Sequence, residues 1–374
     1  MTTNTKEVII LGASYAGVLA LKTLLSRKNP SEISINVKII SPNDHTYVNI
    51  ASPRLLTEPE KIQQVLFSLQ KLIDRLTANT IHKVEYIQGS VKEVDLDERK
   101  VYLHKSDMVF YYDNLIVATG TRMDSAVFKL DNIRDHNYTI QELNKLVENI
   151  KEAESIAVIG AGITGVEVVG ELASNYSKTK SIDLYTGAEY PLPELRESHR
   201  IAAAERLTNF GVNIINNERV GVNKDMKSVI LNDGTTKQYS LIIPAFRNFP
   251  NTEFLPKQVL NDSGYVYTDK HLRLEQYHNV FCLGDIIEMG AGSCIDLMFS
   301  QKEVFESVVD FEIFEQKSVQ LKEHKKSETG YRYVIPLGKD GGIGAAYGFS
   351  LPNFIVRLSK AKDYYIPRGK DFFT

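Results

Sequence analysis

The chain has 374 residues, 43% of them hydrophobic and 24% charged, with a net charge of −3. That length allows two or three domains with substantial cores, and the composition is that of an ordinary soluble globular protein. The charge gives no basic face for a nucleic acid, and no run of about 20 apolar residues is present to span a membrane.

The opening "MTTNTKEV" is too polar for a secretory apolar region, and Thr2 stands where N-myristoylation needs glycine. Residues 6–12 read as a strand and 15–27 as a helix, with Val18, Leu21, Leu24 and Leu25 along one stripe. Between them "VIILGASYAG" nearly matches the G-x-G-x-x-G spacing: Gly12 and Gly17 are in place, and Ser14 takes the middle position. Ser14 adds a Cβ where backbone would approach a phosphate, together with a hydroxyl that can donate to one. The strand 35–40 completes a β-α-β unit. It ends Ile39-Ile40-Ser41-Pro42, without the acid that holds a ribose. Residues 61–77 read as a helix and 84–104 as a β-meander. "YYDNLIVATG" then reads as a buried strand that ends in the tight turn Ala118-Thr119-Gly120.

The pattern repeats about 148 residues on. "SIAVIGAGITGVEVVGELA" is a strand, a glycine turn and a helix, with Gly160, Gly162 and Gly165 at the full fingerprint spacing. The three glycines serve the turn, the approach to a pyrophosphate and helix–strand packing, and the helix N-terminus offers free N–H groups. The next strand ends Leu184-Tyr185-Thr186 with no acid before Glu189, and Arg196 is the arginine within reach of a 2′-phosphate. NADH and NADPH therefore stay open. Glu167 falls on a stripe of apolar and small residues, where charge is expensive. It reads as a carboxylate aimed at a cofactor, the alternative being a helix-start acid favoured by the dipole. Two glycine-turn units imply two nucleotide-binding modules rather than a short-period repeat.

Residues 197–210 read as a helix closed by Gly211, followed by strands with a turn at Asn232-Asp233-Gly234. "NVFCLGD" is a further apolar strand that ends in Gly284-Asp285. Its Cys282 reads as a small core residue. Cys294 is the only other cysteine, so there is no C-x-x-C dithiol or zinc ribbon, and no metal site is expected. So few cysteines suit a reducing compartment. From about residue 305 the chain turns polar, "FEQKSVQLKEHKKSETG", before an aromatic, basic tail.

The order GxSxxG, ATG, GxGxxG, GD resembles the two-dinucleotide-binding flavoproteins related to type II NADH dehydrogenases. More closely the chain resembles their ferroptosis-suppressor, or apoptosis-inducing-factor-2-like, branch. "SPRLLTEPEK" and "GKDGGIGAAYGF…NFIVRLSKAKDYYI" extend that resemblance to nearly the whole length. It implies an α/β fold of two Rossmann-like domains with a smaller α+β C-terminal region. Residues 1–122 with 248–304 would form a discontinuous FAD-binding domain, 123–247 an NAD(P)H-binding domain and 305–374 the C-terminal region. It further implies FAD and NAD(P)H as cofactors and a quinone as acceptor. Gly12, Ser14 and Gly17 would cradle the FAD pyrophosphate, and Ala118, Thr119 and Gly120 would line its adenosine side. Asp285 would hold the ribityl or pyrophosphate region. Gly160, Gly162 and Gly165 would cradle the NAD(P)H phosphates, with Glu167 near the nicotinamide. Arg54 would lie beside the flavin phosphates or ring, and Lys360 close to the isoalloxazine. The alternative for both cations is ordinary solvated charge. The resemblance also allows a homodimer, and a peripheral place at a mitochondrial or lipid-droplet surface for an otherwise cytoplasmic protein.

Two stretches depart from simple expectation. "LIIPAFRNFPNT" puts Phe246 and Arg247 where the family carries Thr-Gly, so either a turn wanting φ > 0 is strained or the turn has changed type. Leu351, Phe354, Ile355 and Leu358 form a short apolar stripe, read as packed on the FAD domain, with a membrane-surface helix as the other reading. Two functional rivals remain at this level: a reductase feeding a soluble protein such as a ferredoxin, and a signalling flavoprotein with little turnover.

Overall fold

The structure, a computed structural model, describes residues 5–27, 33–223, 226–325 and 332–373. Six strands form the first sheet, in the spatial order Arg273–Leu274, Tyr277–Cys282, Asn114–Val117, Thr5–Leu11, Ser34–Ser41, Lys83–Gln88. Its neighbours run parallel except for the first pair. Four parallel strands form the second sheet, in the order Val212–Ile215, Ser181–Tyr185, Ser155–Ile159, Leu241–Pro244. Val8 to Leu11 and Ile156 to Val158 are wholly buried, as parallel strands covered on both faces are.

Each glycine-turn strand lies inside its sheet. Thr5–Leu11 sits between Asn114–Val117 and Ser34–Ser41, in the register Leu11 to Val117 and Leu11 to Ile40. Ser155–Ile159 sits between Ser181–Tyr185 and Leu241–Pro244. The connections leave to opposite sides there, which opens a crevice at the carboxyl ends of the strands. Helices Tyr15–Ser26 and Ile163–Tyr176 start at those ends. A Cβ on Gly17 would come within 1.9 Å of the Gly12 carbonyl oxygen, and one on Gly165 equally close to that of Gly160. The third glycine of each motif therefore seats the helix on its own turn.

The C-terminal region is a three-stranded antiparallel sheet, Arg332–Pro336, Gly342–Ala346 and Phe349–Ser350, followed by helical turns. The architecture is the expected one: α/β, two Rossmann-like units and a smaller α+β part.

Some local expectations change. Within 61–77 only Leu69–Thr77 is an α-helix. Pro59–Gln64 is a 3₁₀ segment, and Leu66–Ser68 pairs as a strand with His45–Tyr47. That partner lies some 20 residues upstream, so periodicity within the segment carries no sign of it. The expected meander at 84–104 divides. Lys83–Gln88 becomes the parallel edge of the first sheet, while Val91–Asp95, Lys100–Leu103 and Val109–Tyr111 form a separate antiparallel sheet.

The C-terminal stripe is not packed inward. Phe354 is 60% exposed and Leu358 59%, while Val356, Lys360 and Ala361 are buried. From Arg357 to Ala361 the helix becomes a π-turn, with the Lys362 N–H donating to the Arg357 carbonyl at 2.9 Å. The wider turn shifts the side-chain phase away from the 3.6-residue period. Of the tail aromatics, Tyr364 and Phe373 are buried.

Gly17→Ala should cost about 1–3 kcal/mol through overpacking, read as an earlier midpoint in urea, with loss of bound flavin on gel filtration.

Candidate functional site

A cleft of about 1190 Å³ opens at the carboxyl ends of both sheets. A pocket for one small ligand usually spans about 300–1,000 Å³, so the space suits a larger or double occupant. Gly12, Ser14, Ala118, Thr119, Gly120, Gly162, Glu167, Asp285 and Lys360 line it. Gly17, Gly160 and Gly165 are not in its wall.

Ser14 and Gly162 are the N-cap residues of the two glycine-turn helices. Neither helix start carries a side-chain cap or a first-turn acid. The free N–H groups of both helices therefore remain available to an anion. A Cβ at Gly162 would meet nothing within 4 Å, which leaves room for a pyrophosphate against the backbone. On the first module's side Asn43 lines the cleft just past the second strand, where the sequence lacks a ribose acid. Its Nδ2 donates to the Asp131 carbonyl at 2.9 Å, but its buried Oδ1 has no partner among the described residues. These features fit a dinucleotide on each turn.

Two buried ion pairs share one helix, the first in the cleft wall and the second outside it. Glu167, 4% exposed, receives a 2.5 Å hydrogen bond from Lys360 Nζ, itself 8% exposed. One turn on, Glu171 receives Arg54 Nε at 2.6 Å and a second guanidinium nitrogen at 3.0 Å. Arg54 also donates to the carbonyls of Ala361 at 2.9 Å and Lys362 at 3.1 Å, and its guanidinium lies 5.0 Å from the Tyr364 ring centre. Burial pushes the Glu167 carboxyl up, against the pull of Lys360. Burial works to lower Arg54, yet the Glu171 carboxylate outweighs it and holds the guanidinium above its ordinary value.

Arg54 is thus neither beside the cleft nor a solvated surface charge. It is buried behind the wall, clamping Ser52–Leu55 to the helix Ile163–Tyr176 and to the C-terminal π-turn. Lys360 and Glu167 are likewise not free surface charges: they meet across 193 residues in the cleft wall.

Asp285 is held by Lys129 at 2.8 Å, and Lys129 also donates to the Thr121 hydroxyl. Gly284 N–H is fixed by Gln301 Oε1 at 2.7 Å. Arg247 does take φ 65°, in the cleft wall, with its guanidinium over the Phe246 ring. A left-handed non-glycine residue costs about 1–2 kcal/mol, so the expected strain is present. Arg196 is tied to Gly348 and Ser350. Cys294, half-buried in the cleft wall, is pushed up to about 12 by burial and by the Asp285 charge. Cys282 lies fully inside the core, and both thiols are free.

Sequence reasoning missed Glu171, Lys129, Asn43 and Tyr364. Only Glu171 carried a signal, as a second carboxylate four residues beyond Glu167 on the same face. The others reach the site through tertiary contacts alone.

Residues 6–309 match the family model described as pyridine nucleotide-disulphide oxidoreductase. The chain belongs to that family. It is an oxidoreductase of the FAD- and NAD(P)H-binding kind. The chain is 28% identical to oxidoreductase ptaL of Pestalotiopsis fici over 360 residues, covering 94% of each. It is 22% identical to ferroptosis suppressor protein 1 of Homo sapiens, covering 96% of this chain and 94% of that one. Among solved folds it resembles the sulfide:quinone oxidoreductase of Aquifex aeolicus, with TM-score 0.75 at 13% identity over 98% of this chain and 92% of that one. Despite the family's name, neither free cysteine has a disulfide partner among the described residues.

Arg54→Met leaves Glu171 buried without its cation. It should cost about 3–5 kcal/mol in denaturant unfolding, and Arg54→Met with Glu171→Leu should recover much of that loss.

Proposed function

We propose that this oxidoreductase passes electrons from NAD(P)H to a quinone. The observation that carries the reading is the Glu167–Lys360 pair, buried in the wall of a cleft shared by two uncapped glycine-turn helices. Bound FAD would supply the two-electron redox chemistry. The chain's own residues bind, orient and set charge. Gly12 and Ser14 present backbone and hydroxyl donors to one pyrophosphate, and Gly160 and Gly162 shape the other. Ala118 to Gly120 line the wall beside the first turn. Asp285, oriented by Lys129, accepts hydrogen bonds from hydroxyl groups. Lys360 brings a positive charge to the redox centre, and Glu167 fixes the ammonium in place. Arg54 and Glu171 hold the backbone that carries Lys360.

A lipid-soluble acceptor is supported by the surface around the cleft mouth. Met298 and Phe299 line the mouth and are exposed, and Arg332 stacks on both Phe299 and Tyr347. Phe349, Phe354 and Leu358 in the C-terminal region are exposed as well, and exposed apolar side chains with nearby cations suit the surface of a bilayer. No helix among the described residues is long and apolar enough to cross a membrane.

Anaerobic titration with NADH and with NADPH should bleach the flavin absorbance, and a short-chain quinone should restore it. A flavin that stays oxidised with both nucleotides would leave a non-catalytic flavoprotein. Lys360→Met combined with Glu167→Gln, which strands no buried carboxylate, should lower kcat about a hundredfold, as loss of one charge-stabilising donor does, with flavin content retained. Phe354→Ser with Leu358→Ser should slow turnover of a long-chain quinone held in vesicles. The rate with a water-soluble quinone should stay unchanged.

A further inference from the structure

Asp44 lies in the turn after the second strand, His45 opens the short strand His45–Tyr47, and His136 opens the helix His136–Glu152. They lie about 90 residues apart in sequence, yet they converge. Asp44 Oδ1 is 2.9 Å from His45 Nδ1 and 2.7 Å from His136 Nδ1. The two imidazole rings lie 4.0 Å apart, tilted by 40°. One ligand atom from each residue falls within 4.8 Å of the other two.

The geometry points to a binding site for a first-row divalent transition ion, of the zinc or nickel class, held by Asp44, His45 and His136. The donor set decides the class. Two imidazole nitrogens and one carboxylate oxygen suit these borderline ions, whereas calcium and magnesium take oxygen ligands. Bonds of about 2.0–2.2 Å require donor separations of about 3 Å. Two of the three separations already stand near that value, and the third lies within 4.8 Å.

Among the described residues no lysine or arginine pairs with Asp44; its ionic partners are the two histidines. All three side chains keep some solvent contact, at 44%, 28% and 13% for Asp44, His45 and His136, so water can fill the remaining positions. The proton balance closes. In the metal-free site the carboxylate can only accept, so both Nδ1 atoms carry hydrogen. When an ion binds, each neutral ring gives up its Nδ1 proton and gains one at Nε2 from solvent. An imidazolium ring releases one proton outright. No oxidation or reduction is involved.

The bound ion would tie the loop of the first sheet to the helix that opens the passage into the second module. His45 and Asn43 lie in the cleft wall, so the tie would stiffen that wall. The inference does not rest on the quinone reading.

Isothermal titration of the untagged full chain with zinc chloride, flavin retained, tests it. One ion per chain is expected. His45→Ala, His136→Ala and Asp44→Asn should each weaken binding by at least about tenfold, while His278→Ala, at an exposed histidine elsewhere, should leave it unchanged. Zinc should raise the melting temperature of the wild type but not that of the His45→Ala, His136→Ala double variant. Equal uptake by the wild type and that folded double variant would overturn the site, as would a wild-type heat no larger than the double variant's.

Discussion

Charge burial is the constraint around which this molecule is arranged. One helix, Ile163–Tyr176, carries two carboxylates a single turn apart, and both are buried. An unpaired carboxylate there would cost several kcal/mol. Each is therefore matched by a cation from elsewhere in the chain: Lys360 from the C-terminal π-turn, and Arg54 from the segment that follows the first module's second strand. Since neither cation can leave without stranding its partner, the first sheet, the second sheet and the C-terminal region are locked together at the cleft. The same pairing puts one ammonium in the cleft wall and keeps one guanidinium out of it.

That lock explains the odd local geometry of the tail. The π-turn over Arg357–Ala361 lets Lys360 and Ala361 face inward together, while the carbonyls of Ala361 and Lys362 turn to Arg54. Tyr364 and Tyr365 then both adopt left-handed backbone, φ 51° and 61°, as the chain doubles back. Strain of this kind persists only where surrounding contacts over-determine it. Here the contacts are aromatic: Tyr15, at the start of the first glycine-turn helix, packs on Phe372 and Phe373, and Tyr365 packs on Phe372. The tail closes part of the cleft, while Phe354 and Leu358 on the other side of the π-turn are left facing solvent.

The two glycine turns do different work despite their similar spacing. In the second, Gly162 leaves open space beside an uncapped helix start. In the first, Ser14 fills part of that space with a hydroxyl, and just past the second strand Asn43, with a spare acceptor, lines the cleft where the sequence has no acid. Phosphate binding through backbone N–H groups tolerates both versions, because the donors belong to the main chain and the helix dipole is the same.

Much of this was fixed by local sequence. Strand, glycine turn and helix follow one another within about 20 residues, so steric fit and periodicity alone announced both Rossmann-like units and placed Gly12, Ser14, Gly160 and Gly162. Glu167 was legible as a carboxylate on an apolar stripe. The partners of the buried charges were not legible, because Lys360 to Glu167 and Arg54 to Glu171 span 193 and 117 residues. Nor was the burial of Lys360 and Ala361 beside an exposed Leu358, where a π-helical turn shifts the phase of the helix. Local spacing determines which backbone shapes a segment can take. Which distant charge neutralises which, and which face of a turn meets water, is decided only when the whole chain must bury its ionised groups in pairs.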